Sequence, residues 1–224
     1  MAHHMTERSP CNYSPNMPLQ NRVDPSGRLF ANPSKDATLM GNRGCLHDGN
    51  KNVVRERTSL KRWISCTLEP RFGVRTLMQP GWYTELFFLD EATALAAGHR
   101  PCPQCRREAY RRFTAAWLAA GLSDTVSAVA MDKALDAERR GAQRRVVNPA
   151  NLPDGAMVRQ PDDGSFHLVY EGRLFPWSFA GYGPASISTS ESVSLELVTL
   201  PVMLKVMAAG YVPTIHPSVA KSCS

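Results

Sequence analysis

Six cysteines carry most of the chemistry available to this 224-residue chain, and two of them stand in the turn Cys102-Pro103-Gln104-Cys105. A two-residue spacing folds both sulfurs onto one side, so the pair can share a metal ion, and a structural zinc site takes four such ligands. Cys45 and Cys66 supply two more thiols. His47 lies two residues beyond Cys45, on the same side of the chain if that stretch is extended. The expected site is therefore a Zn2+ ion held by Cys45, Cys102 and Cys105, with Cys66 as fourth ligand and His47 as its alternative. In a reducing compartment such thiols read as ligands rather than disulfides. Cys11 and Cys223, in polar tails, read as free thiols. Without a metal, the CxxC pair would read as free or redox thiols. A zinc-bound Cys45 thiolate would also be a possible nucleophile, although the structural role is the one expected.

The elements around these cysteines follow from local sequence. The apolar run at 86–89 (LFFL) suits a short buried strand. Asp90 has the chemistry of an N-cap, Glu91 suits the positive end of a helix, and ATALAA has high helix propensity. Gly98 can end that helix in the left-handed conformation, and Pro101 prevents it from resuming. Residues 62–68 alternate as a strand that carries Cys66 on the side of Ile64 and Leu68. The turn at HDGNKN lies between Cys45 and a short strand at 53–55. After the CxxC, residues 107–120 form an amphipathic helix with Tyr110, Phe113, Trp117 and Ala120 on one face and Gly121 as its stop. Arg106, Arg107, Arg111 and Arg112 gather positive charge around the knuckle, suited to phosphate contacts.

The segment Phe87-Phe88, Asp90-Glu91-Ala92, then ALAAGHRPC-x-x-CR resembles the second half of the Ada-type metal-binding domain of bacterial methyl-phosphotriester repair proteins. The likeness spans roughly residues 87–106, and the wider pattern, with GNRGCLHD, resembles an uncharacterised bacterial family. The resemblance implies Zn2+, two cysteines ahead of the CxxC (Cys45 and Cys66 here), and basic residues near the metal that touch a DNA backbone. By that implication Arg43, Arg100, Arg106, Arg107, Arg111 and Arg112 are the nucleic-acid-binding candidates. The family's first two cysteines lie close together, whereas Cys45 and Cys66 are widely separated. The alkyl-transfer and helix-turn-helix domains of those repair proteins have no counterpart here.

Charge is uneven. Residues 1–75 hold 12 Lys/Arg against 6 Asp/Glu, residues 76–150 hold 10 against 8, and residues 151–224 hold 4 against 6. The excess of +6 therefore sits toward the start, which points to a polyanionic partner such as DNA or RNA. No apolar run approaches the length of a membrane span, and no charged-then-apolar leader is present, so a cytoplasmic protein with no membrane partner is expected. Met1–His4 (MAHH) resembles a shortened expression tag. Nucleotide-binding glycine loops, GxSxG elbows and HExxH helices are missing.

The expected fold class is α+β. An irregular lead-in covers 1–37, with one short strand near 28–31. A small zinc-stabilised β-hairpin and helix domain follows over 38–147, and a small mostly-β module over 148–224, separated by the Pro/Asn-rich connector 148–153. A helix at 131–140, short strands with Asp-Gly and Glu-Gly turns from 154 onward, a strand at 193–200 and a helix at 203–209 complete the expected elements. His167 reads as a strand-surface residue and His216 as a tail residue. Three functions fit: a zinc-stabilised nucleic-acid-binding protein; a metal-dependent enzyme on DNA or another phosphate substrate; and a zinc-stabilised protein scaffold. The enzyme reading would be nuclease-like through Asp132, Asp136, Glu138, His47 and Asp48, or a methyl acceptor. Paired with Lys133, Arg139 and Arg140, the acids at 132, 136 and 138 make an ordinary helix surface, so the enzyme question stays open and leans toward no.

Overall fold

Helix α1 (Glu91–Ala96) is only six residues long, yet every one of them is buried. The computed structural model describes residues 17–69, 76–141, 145–185, 187–188 and 194–221. Met1–His4, Cys11 and Cys223 lie outside them. An α+β architecture of two sheets and five α-helices is built around α1 among these residues.

The first sheet uses β1 (Gln20–Val23), β2 (Leu29–Ala31), β3 (Leu39–Asn42), β4 (Ile64–Thr67), β5 (Leu86–Phe88) and β6 (Arg100–Pro101), in spatial order β2-β1-β5-β3-β4-β6. Strand β3 pairs antiparallel with both β4 and β5, whereas β6 runs parallel to β4. Gly41 in β3 allows this close packing, because a Cβ there would fall 2.3 Å from the Phe88 ring. The expected strands at 28–31, 62–68 and 86–89 are present in shortened form. The 53–55 strand is reduced to one bridge between His47 and Val53. Strand β1 arises in the stretch read as irregular.

Helices α2 (Arg107–Ala119) and α3 (Ala128–Gly141) follow. Next come β7 (Val146–Val147), β8 (Met157–Arg159), β9 (Phe166–Tyr170), β10 (Arg173–Ser178), β11 (Gly181–Tyr182), β12 (Ile187–Ser188) and β13 (Leu195–Leu197). They form a second sheet in the order β11-β10-β9-β8-β13-β7, with β12 on β10. The chain ends in α4 (Pro201–Ala208) and a short α5 (Ser218–Lys221). No described helix is long and apolar enough to cross a membrane.

The cores join the two halves of the sequence. Leu95 of α1, Phe113 and Trp117 of α2 and Leu135 of α3 pack with Val202, Met203 and Val206 of α4 and with Tyr211. Leu89, Ala92 and Ala96 pack with Met157, Leu168, Phe175 and Tyr182 of the second sheet. Polar links repeat the pattern: Trp177 Nε1 donates to Thr93 Oγ1 at 3.1 Å, and Tyr182 Oη donates to Asp90 Oδ2 at 2.9 Å. Asp90 caps α1 as its sequence implies, accepting from Thr93 N at 2.9 Å. Gly98 terminates that turn at φ +80°. A Cβ at Gly98 would also meet Arg139 Cδ at 2.8 Å, so glycine is required twice over.

Candidate metal centre

Cys66 sits on β4, whose buried residue is Ser65, so Cys66 points to the opposite, half-buried side. Parallel pairing sets Ile64 opposite Arg100 and Ser65 opposite Pro101. The ladder continues as the Cys102 N–H donates to Ser65 O at 2.9 Å. Pairing, rather than sequence spacing, thus brings Cys102 beside Cys66. The Arg106 N–H then donates to Cys102 O at 3.1 Å and closes the turn that returns Cys105 to the same place. The three Sγ atoms lie within 4.8 Å of one another. Bonds of about 2.3 Å to a tetrahedral zinc put sulfurs about 3.8 Å apart, so the trio needs little closure to share an ion.

The thiols are also electrostatically one group. Hydrogen bonds from the Cys105 and Cys66 thiols, with the N–H groups of Cys105 and Gln104, hold Cys102 far below the usual thiol range. Cys66, hydrogen-bonded with Cys102 and Cys105 and desolvated by burial, is pushed far up. A soft or borderline cation that replaces the shared protons would meet three sulfur donors already turned toward it.

Cys45 does not join them. Its thiol lies 3.5 Å from His47 O, half-buried and outside the three-sulfur group. His47 is buried with both ring nitrogens engaged. Nε2–H donates to Gln79 O at 3.1 Å, and Nδ1 accepts from Thr84 Oγ1 at 2.7 Å while that oxygen takes the Leu46 N–H. Its ring lone pair is therefore used inside the protein. The set that converges is Cys66, Cys102 and Cys105. The difference from the expected ligands arises because Cys45 belongs to the long loop after β3, not to the β4–β6 ladder.

The six arginines divide evenly. Arg100 is 1% exposed and grips Asp132 with two hydrogen bonds of 2.8 Å. Arg106 donates to Ser65 Oγ at 2.7 Å and bridges Glu91 at 2.7 Å, which ties the knuckle to β4 and α1. Arg43 is 2% exposed and donates twice to Gly27 O. Arg107, Arg111 and Arg112 are exposed on α2, with Arg111 in a loose 3.9 Å pair with Glu108. Sequence reasoning missed Ser65 as the knuckle's anchor and took Glu91 for a helix-end charge only. Its three partners (Arg106, Tyr211 Oη and Thr214 N) come from distant segments that no local pattern announces.

Compared with protein families, curated proteins and solved structures, the chain shows no match. The arrangement itself carries the argument. The carboxylates considered for metal catalysis are engaged elsewhere: Asp132 with Arg100, Asp136 with Arg140 at 3.0 Å, and Glu138 with Val202 N at 2.9 Å. Asp48 accepts from Asn50 N and Asn52 N in its own turn.

Proposed function

We propose that this chain is a zinc-binding protein that contacts nucleic acid through the exposed arginines of α2. The convergence of Cys66, Cys102 and Cys105 carries the reading. Three thiolates favour a soft or borderline cation, and zinc takes three such ligands with water or another side chain as the fourth. The local resemblance to the Ada-type domain around the Cys102–Cys105 turn supports the same metal and a phosphate-contacting role for nearby basic residues. Helix α2 begins directly after Cys105, and Arg107 and Arg111 are one turn apart, with Arg112 beside them. The ion would hold the first turn of that helix and thereby the position of its cations.

With Arg43, Arg100 and Arg106 committed inside the protein, three candidate phosphate contacts are left. Three contacts on duplex DNA imply a salt slope of about −2.7, or a roughly fortyfold loss of affinity between 50 and 200 mM salt. Elemental analysis of the purified protein should find about one zinc per chain. Fluorescence anisotropy with labelled duplex DNA should then show that slope, reduced by about one on Arg111→Ala. A zinc-loaded protein without salt-dependent binding would leave the metal and remove the nucleic acid. A protein that takes up no metal would remove both.

A further inference from the structure

Between the two sheets lies a cavity of about 560 Å3, away from the three thiols. Its volume falls within the range of small-molecule sites. Three guanidinium groups gather there around one indole: Arg139 at 4.3 Å, Arg43 at 4.6 Å and Arg57 at 5.6 Å from the Trp63 ring centroid. All three arginines and Trp63 line the cavity.

Carbonyl oxygens do most of the anchoring. Arg43 donates only to Gly27 O, Arg139 donates to Gly98 O at 2.9 Å and Lys61 O at 2.7 Å, and Arg57 donates to Arg139 O at 2.9 Å. Among the described residues, neither Arg43 nor Arg57 forms an ion pair, and Asp136 reaches Arg139 only at 3.6 Å. A carbonyl satisfies an N–H but leaves the cation's charge uncompensated, whereas buried charges are ordinarily paired. The Nε atoms of Arg43 and Arg139 are buried and have no hydrogen-bond partner. Burial and the neighbouring Arg57 charge bring the Arg43 pKa down to about 10.

Carboxylates at the rim offset this charge only in part, since Glu56 and Asp24 attract Arg43 without forming an ion pair with it. Glu196 is paired with Arg159 at 2.9 Å, and Asp24 accepts from Ser26 Oγ and the Arg28 N–H. Five arginines line the cavity against three acids, Asp24, Glu56 and Glu196. The remaining wall is apolar, supplied by Phe30, Phe166 and Leu200 among others.

We propose that this cavity binds a small organic phosphate, its dianionic head against Arg43, Arg57 and Arg139 and its apolar body along Phe30 and Phe166. Guanidinium forks match phosphate oxygens in pairs, and a dianion suits a cluster in which, among the described residues, two of three cations have no ion pair and the third only a long one, better than a monoanion does. The space exceeds what a bare phosphate fills. This site is independent of the metal and of α2.

Isothermal titration calorimetry on the full chain, with AMP, inorganic phosphate and adenosine as separate probes, tests it. AMP should bind with a Kd of about 1 mM or tighter, and each fragment at least about tenfold more weakly. Arg57 is exposed and removable without opening the core. Arg57→Ala should weaken AMP at least about tenfold and Arg57→Lys by less, while Lys133→Ala on the exposed face of α3 leaves it unchanged. No binding of AMP or phosphate at about 10 mM would overturn the proposal. So would equal affinity for AMP and adenosine, or an Arg57→Ala protein, folded by circular dichroism, that binds AMP as wild type does.

Discussion

The acidic start of α1 and the thiol trio lie close in the structure and keep opposite accounts of their partners. Asp90 accepts from Thr93 N, Thr93 Oγ1, Tyr182 Oη and His216 N. Glu91 takes Arg106, Tyr211 Oη and Thr214 N. Both carboxylates are buried and fully spoken for by the protein. The thiols have mainly one another, at a spacing that suits a common ion, and two of the three are half-open to solvent. Buried polar groups with a complete set of partners hold a fold together. A converging set whose best partner is one another is placed for something that comes from outside.

The strongest test of this contrast is at the thiols. Cys102→Ser should abolish stoichiometric metal binding by elemental analysis, whereas Cys45→Ser should retain it; equal loss in both would mean that Cys45 closes onto the site. At the acid pair, Glu91→Ala should lower stability by about 3–5 kcal/mol in urea unfolding, because it leaves the Arg106 cation buried and unpaired. Its metal content should fall less than that of Cys102→Ser.

A third test uses pH. His99 is fully buried, its Nδ1 bonded to Ala97 O at 3.1 Å and its ring packed at a tilt against Trp63 and Phe88. Burial, with the Arg43 and Arg139 charges, holds its pKa well below 6.5. The unfolded chain therefore binds a proton below about pH 6.5 that the folded chain refuses. Stability from this residue is present above that pH and declines as pH falls, by about 1.4 kcal/mol per unit. His99→Gln should flatten the decline in urea midpoints between pH 7 and 5; an unchanged slope would assign it to other groups. The smallest effect belongs to the exposed Glu108–Arg111 pair, where Glu108→Ala should shift stability by no more than about 0.5 kcal/mol.

Sequence pattern revealed the features that depend on near neighbours. The Asp90 cap, the Gly98 stop, helix α2 with Phe113 and Trp117 inward, and the CxxC turn all rest on contacts a few residues apart. Strand lengths were overdrawn, since pairing partners end a strand and pattern does not: among the described residues of the expected 193–200 strand, β13 holds three. The ligand set was partly legible. Cys66 comes to Cys102 through a parallel strand pair, and a long-range register leaves no local trace. The arginines misled for a related reason. A guanidinium that grips Asp132 and one that faces water look alike in sequence, because the partner lies elsewhere in the chain. The connector at 148–153 reads as a break by composition, yet β7 already pairs with β13 before it, and the hydrophobic clusters draw on both sides.

The two-residue strand β6 has a consequence for assembly. Because Cys66 and Cys102 meet only where β6 lies against β4, an ion gripping both would close the excursion between them, which contains β5 and α1. Closing that excursion costs entropy that grows slowly with its length, and an ion that binds only the closed form offsets that cost. Metal uptake should then track arrival of the sheet's last strand, making a bound ion a stopwatch for how this half of the molecule comes together.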